Sequence, residues 1–248
     1  LALRAYSHFE LLRGYASSYD GDGMGVPYMK ERALGYPSRP TVESNYADIN
    51  ADLWAAKELM PDNFTENIRI TKAAIAGIQA RVALYAKNWN DAIRYATEVI
   101  QAEPLAPKND FPKIWVDNSD SEVVWKLARV IGDSRLGAAF YREAGGIVLY
   151  APSSKMINLF NKTDDIRYTA YIKDDPSRVG PPPSIKSQYL VKKYVGGNSS
   201  YPGLTSVKLF RTGEMYLIRA EAEAEANGAT GLTNAANDLN ALRSARIH

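Results

Sequence analysis

The 248-residue chain contains no cysteine. That absence excludes disulfides, thiolate metal sites and a cysteine nucleophile, and it leaves the redox compartment open. Histidine is almost as scarce: His8 and His248 are the only two, so HExxH zinc chemistry and histidine-based triads are excluded by inventory. No GxxxxGK phosphate loop and no GxSxG nucleophile elbow occur, and GDGMG at Gly21–Gly25 lacks the GxGxxG spacing and a preceding strand. No stretch approaches the roughly 20 apolar residues that a membrane helix needs. An excess of one charge is missing too: 30 Lys and Arg stand against 28 Asp and Glu, with the basic residues scattered among the acids. Nucleic acid is therefore not an expected partner.

What remains is an ordinary globular composition, 46% hydrophobic and 23% charged. It fits neither disorder nor a membrane-embedded class, and the length suits one domain or a closely packed pair. The chain opens at Leu1 inside a helical pattern, without Met, and is expected to be part of a longer protein whose signal peptide or anchor lies upstream. Asp20, Asp22, Gly25 and Glu31 stand at positions one, three, six and twelve of an EF-hand-type calcium loop. Met24 sits at a ligand position and Pro27 at the hydrophobic one, so a solvated Asp-Gly turn is the expectation, with no metal and no cofactor.

Helical periodicity dominates both ends of the chain. Ala2, Ala5, Tyr6, Phe9 and Leu12 share one face of a first helix, with Gly14 as its stop. A Gly-, Pro- and Ser-rich loop runs to Pro40, and Thr41 reads as an N-cap. Val42, Tyr46, Ile49, Leu53, Ala56 and Met60 then form an apolar seam that ends at Pro61. Residues 71–102 hold two further helices joined by a tight turn at Lys87-Asn88. Ala80, Trp89, Ala92 and Pro104 there fit the small, aromatic and terminating positions of a tetratricopeptide-type (TPR) repeat. Residues 211–226 and 232–246 repeat the helix-turn-helix form, with Asn227-Gly228 at the turn. The predicted fold is mostly α: TPR-like helix pairs over 1–104 and 209–248, with a loop-rich insertion at 105–208 carrying short β-strands, all within one domain. The strands are expected at Glu122–Leu127, Gly146–Tyr150 and Arg167–Ile172.

Paired acids are the remaining route to chemistry, because glycoside hydrolysis needs two carboxylates facing each other across a cleft. Asp164-Asp165 and Asp174-Asp175 read as cap or turn residues, and Glu221, Glu223 and Glu225 as a solvated helix face beside Arg219. No catalytic residue is assigned. The 16 tyrosines and four tryptophans are more informative. Flat aromatic rings cover the apolar C–H faces of sugars while neighbouring polar groups bond the hydroxyls. Tyr6, Tyr46, Tyr85, Trp89, Tyr95 and Tyr216 fall in helical seams, and Trp54 reads as packing or rim. The informative set lies in the insertion: Trp115, Trp125, Tyr141, Tyr150, Tyr168, Tyr171, Tyr189, Tyr194 and Tyr201. Packing beneath a loop is the competing role for each. From this set the candidate ligand-binding residues are Trp115, Tyr171, Tyr194 and Tyr201 as stacking platforms, with Arg178 and Asn198 as hydrogen-bonding partners.

Several blocks, in a shared order, resemble those of one family. They are Leu3-Arg4-Ala5-Tyr6 with Phe9, then Gly25-Val26-Pro27, then Thr41 to Tyr46 followed by Asp52-Leu53. Thr71 to Ala74 with Ala80-Arg81-Val82 and Tyr85 come next, and Pro152-Ser153 and Asp165-Ile166-Arg167 mark the middle. Arg211, Glu214 to Ile218, Ala220-Glu221-Ala222 and Asn240 to Arg243 close the series. Together they resemble the SusD/RagB family of Bacteroidetes, and the resemblance spans nearly the whole chain. It implies a TPR-like, non-enzymatic, lipid-anchored protein on the surface of the outer membrane. Such a protein captures an oligosaccharide or other nutrient and hands it to a SusC-like TonB-dependent transporter. The resemblance implies that the anchor region and N-terminal helices of the family precede Leu1 and that its last part follows His248. Family ligand contacts follow no fixed motif, so none is carried over. Arg81, Glu214, Glu221 and Arg243 are expected to be buried or inter-helix hydrogen-bonding groups. The competing readings are a TPR-like protein- or peptide-binding scaffold without glycan binding, and a glycosidase.

Overall fold

The computed structural model describes residues 1–32, 34–140, 148–179 and 187–248. The helices are α1 (Ala2–Tyr15), α2 (Val42–Leu59), α3 (Lys72–Tyr85), α4 (Trp89–Ala102), α5 (Phe111–Ile114), α6 (Ser154–Ile157), α7 (Ile166–Tyr171), α8 (Thr212–Ala226) and α9 (Gly228–Ser244). The strands are β1 (Val123–Leu127), β2 (Ile172–Asp174), β3 (Tyr189–Val191) and β4 (Val207–Arg211). The fold is mostly α. The residues separate into two compact units, Leu1–Glu103 with Phe210–Leu239, and Pro104–Leu209 with Asn240–His248.

The first unit is a stack of helices: α1 packs on α2, α2 on α3, α3 on α4, and α4 on α8. Its helices begin where the sequence supplies caps. Thr41 Oγ1 accepts from the Ser44 amide, Thr71 Oγ1 from Ala74, and Asn88 Oδ1 from Asp91, each satisfying an amide that the first helical turn leaves open. Phe9, Leu12, Ile49, Leu53, Ile75, Ile78 and Met215 are fully buried, each contributing about 1.5–3 kcal/mol of burial. Buried Ala76, Ala80, Ala92, Ala96 and Ala222 let neighbouring backbones approach closely. At Gly77 a Cβ would sit 3.1 Å from the Phe210 ring, so its absence leaves that ring room against α3. The Arg81 guanidinium covers the same ring at 3.8 Å and bonds Glu214 through two nitrogens at 2.7 and 2.8 Å, tying α3 to α8.

The loop before α2 is anchored by side chains. Asn45, fully buried, accepts from the Val26 amide at 2.8 Å and donates to the Val26 carbonyl at 2.9 Å. Asp52 accepts two bonds from Arg4 and one from the Tyr28 hydroxyl, all at 2.6 Å. These bonds, the Arg4 guanidinium first, hold its carboxyl below the usual carboxylate range despite opposing desolvation. His8 Nε2 accepts from the Met29 amide at 2.9 Å. In the Asp-Gly turn, Asp20 is paired with Lys87 at 2.9 Å, and Gly21 and Gly23 offer carbonyls to the first amides of α2.

The second unit has two small two-stranded sheets, β1 with β4 and antiparallel β2 with β3, the latter in register Ile172 to Val191 and Asp174 to Tyr189. The run Arg167–Ile172 differs from expectation: it forms α7 and only Ile172 enters a strand. Asp165 caps this helix, accepting from the Arg167 amide, and its carboxylate also binds the Arg167 guanidinium, so the local bonds favour a turn of helix over an extended chain. The expected strand at Gly146–Tyr150 begins at residues outside those described, and Tyr141 also lies outside them. Phe111, Ile114, Trp115, Val123 and Ala170 form one core cluster, with Ile157, Tyr168 and Ile172 in a smaller one. Arg246 and Glu122, 3% and 1% exposed, form a buried ion pair beside Phe111, whose ring lies 4.1 Å from the guanidinium.

Two expectations for the acidic helix faces are corrected. Glu221 and Arg243 are exposed rather than buried, which for Glu221 agrees with the solvated-face reading instead. Arg219 binds Asp238 of α9 at 2.7 and 2.8 Å and Thr97 of α4 at 3.1 Å, not the neighbouring glutamates. Trp54 is 65% exposed, so on α2 it lies outside the seam.

Candidate functional site

The Gly-rich stretch 195–206 contributes to an open groove in the second unit. Gly196 has φ +72°, a left-handed conformation that side chains disfavour, and a Cβ there would lie far inside van der Waals contact distance of the Leu204 carbonyl oxygen. Gly197 makes the same close approach to the Val116 carbonyl. Because both positions lack a side chain, the turn closes against two backbone segments and forms one wall of an open groove of about 990 Å³. Val116, Asp117, Asn118, Arg129, Val130, Ile131, Gly196, Gly197, Asn198 and Leu204 line it. That volume lies at the upper end of ligand sites, which are about 300–1,000 Å³.

Asp117 is the single carboxylate among these lining residues, and it is engaged. It accepts from the Ser206 amide at 2.8 Å and from Lys208 Nζ at 2.5 Å, and its backbone is itself left-handed at φ +57°. Burial pushes the Lys208 ammonium below the ordinary lysine value, and Asp117 opposes that shift. Asn118, Arg129 and Asn198 add two carboxamides and a guanidinium, while Val116, Val130, Ile131 and Leu204 add apolar surface. Donors and acceptors around apolar walls suit a polyhydroxylated ligand.

The structure distributes the six sequence-predicted residues unevenly. Asn198 lines the groove, its Oδ1 accepting from the Ser200 amide. Tyr201, 40% exposed, lies in the same turn, its amide donating to the Asn198 carbonyl. Trp115, Tyr171 and Tyr194 converge elsewhere, around the Lys193 ammonium at 4.5, 4.9 and 5.4 Å from their ring centres. Trp115 is only 3% exposed and packs edge-on against Phe111 and Tyr171, so it serves the core rather than an open platform. It also edges a smaller, largely apolar cavity of about 210 Å³ with Pro112, Ala170 and Val195. Tyr194 continues outward: Phe140 stands 5.7 Å from it, and Tyr150, 63% exposed, 5.9 Å from Phe140. Arg178 is apart from both cavities, on the short 3-10 turn after β2, where its Nε donates to the Ser187 carbonyl at 3.3 Å.

Sequence reasoning missed Asn118 and the wall at Arg129–Ile131. Val130 and Ile131 are 66% and 60% exposed, an apolar pair beside the Gly132-Asp133 turn after a strand, and that conjunction is the signal that was available. Phe140 was also missed, standing alone in a weakly patterned stretch.

The chain thus combines a helical unit with a loop-rich unit that contains an open groove. A family model for starch-binding proteins associating with the outer membrane, SusD-like, matches residues 1–84, and the SusD/RagB family model matches residues 182–246. The fold is that of a SusD superfamily protein from Bacteroides thetaiotaomicron, at TM-score 0.85 and 23% identity, with 99% of this chain and 57% of that one covered. A putative sugar binding protein from Bacteroides vulgatus matches at TM-score 0.80 and 22% identity, covering 99% and 56%. Surface glycan-binding protein A from Bacteroides uniformis matches at 0.75 and 18%, covering 99% and 57%. No curated protein matches in sequence. Both models are SusD-type, each over part of the chain, and the chain spans a little over half the length of these solved relatives.

Proposed function

We propose that this protein binds an oligosaccharide without chemical conversion, at the surface of the outer membrane, and delivers it to a TonB-dependent transporter. The observation that carries the reading is the groove of about 990 Å³, whose Gly196–Asn198 wall is flanked in sequence by Tyr194 and Tyr201. Its mixed lining suits sugar hydroxyls, and the exposed Tyr150 beyond Phe140 adds a ring able to cover a pyranose face. Relatives of the same fold include a putative sugar binding protein and a surface glycan-binding protein, which supports the ligand class. Glycosidases use two carboxylates across the scissile bond, whereas this lining supplies Asp117 alone, already bound to Lys208. Among the described residues no helix is long and apolar enough to cross a membrane, which is consistent with attachment through a lipid anchor. The competing peptide-scaffold reading calls for a smooth helical groove, and both cavities described above are in the loop-rich unit instead.

Affinity electrophoresis in gels cast with host, plant and microbial polysaccharides tests the reading. Retardation by at least one polysaccharide, lost in Tyr201→Ala or Tyr194→Ala, is the expected result. Unretarded migration in every gel would transfer the assignment to a peptide ligand or a role confined to the transporter.

A further inference from the structure

The groove's charge makes a finer prediction about its ligand, one that rests on the oligosaccharide-binding reading. Cations around the groove are mostly engaged: Lys208 is held by Asp117, Lys126 by Asp120, and Arg135 donates to the Pro202 carbonyl. Arg129 differs. It is exposed, lines the groove, and forms no hydrogen bond or ion pair with any described residue. Elsewhere in the same lining, the backbone amides of Gly196, Gly197 and Asn198 donate to no acceptor among the described residues, and Gly196 is left-handed. Successive peptide N–H groups around a left-handed residue make a concavity that favours anions. The one acid in the lining, Asp117, has its charge met by Lys208 and the Ser206 amide, so it opposes an incoming anion little. A guanidinium and a row of unengaged amides in one groove favour negative charge, opposed only by Asp133, whose carboxylate accepts from the Val130 amide at 3.0 Å.

We infer that the groove takes an acidic sugar residue, with Arg129 binding its carboxylate or sulfate and the Gly196–Asn198 amides holding the remaining oxygens. The neutral rings on either side of that residue would meet Val130, Ile131 and Leu204.

Calorimetric titration of the full chain with matched oligosaccharide pairs tests this. Oligogalacturonide is compared with its carboxyl-reduced form, and chondroitin sulfate oligosaccharide with its desulfated form; the pair that discriminates identifies the anionic group. The expected result is tighter binding of one acidic member, weakened about tenfold or more in Arg129→Gln, partly restored in Arg129→Lys, and weakened by added salt. Arg129 is exposed, so circular dichroism of the variant should match the parent. Equal affinity for acidic and neutral members, or an Arg129→Gln variant that binds the acidic member unchanged, overturns the inference and leaves glycan binding standing. Absence of binding to all four, and to the polysaccharide panel above, removes both readings together.

Discussion

The two units solve the same problem by different means. In the first, the backbone is satisfied inside helices and the side chains have only to bury a stripe, so repeated Ala, Ile, Leu and Val do most of the work. In the second, the chain is largely turns, and amides that no helix or sheet pairs need acceptors from side chains. Glu122 takes the Ala106 amide, Asp117 that of Ser206, and Asp165 that of Arg167. Each of these acids is then balanced by a cation: Arg246, Lys208 and Arg167. In the loop-rich unit these acids serve backbone amides, whereas the buried acids of the helical unit, Asp52 and Asp238, are met by side chains, chiefly Arg4 and Arg219.

That contrast predicts which changes damage which unit. The largest effect should come from Arg246→Ala, which strands Glu122 at 1% exposure and should cost about 3–5 kcal/mol. Hydrogen exchange should show lost protection concentrated in residues 104–209, and a uniform loss along the chain would break the distinction between the units. Next is Ile78→Ala in the first unit, a cavity at a position with no exposure, expected to cost about 2–4 kcal/mol by chemical denaturation. Its exchange signature should fall on α2, α3 and α4. Gly196→Ala should cost about 1–3 kcal/mol through its left-handed backbone and its contact with Leu204, and should also weaken ligand binding by deforming the groove wall. Unchanged affinity in that variant would dissociate the wall from the site. The smallest effect is on pH dependence. The folded Asp52 carboxyl titrates below its unfolded value, so its contribution is complete above about pH 4 and is lost as pH falls through the lower folded value. Asp52→Asn should flatten that acid limb in thermal melts.

The same contrast explains what the sequence disclosed. The seam Val42, Tyr46, Ile49, Leu53 and Ala56 was readable because a long helix repeats its buried face several times, and all five are buried. The capping residues Thr41 and Asp165 were readable because their chemistry is local. α7 was not, since six residues make fewer than two helical turns and its β-branched and aromatic residues are those that favour strands. The groove was half visible. The Gly-Gly-Asn-Ser-Ser-Tyr stretch announced a loop with polar and aromatic residues, but the rest of the lining comes from residues 116–118 and 129–131, far earlier in the chain, a juxtaposition set by tertiary packing. Nor does anything in the α9 pattern signal that Asn240–His248 belong to the second unit, because Arg246 finds Glu122 only in the folded chain.

The burial of Trp115 has an optical consequence. Trp115 and Trp125 are both nearly excluded from solvent in the second unit, while Trp54 and Trp89 belong to the first and Trp54 is largely exposed. Indole emission therefore carries a built-in label: blue-shifted light reports chiefly on the loop-rich unit, and the red component on the helices. Trp115 shares the Lys193 ammonium, 4.5 Å from its ring, with Tyr194, the residue two before Gly196, so its emission also reports on the surroundings of that ammonium.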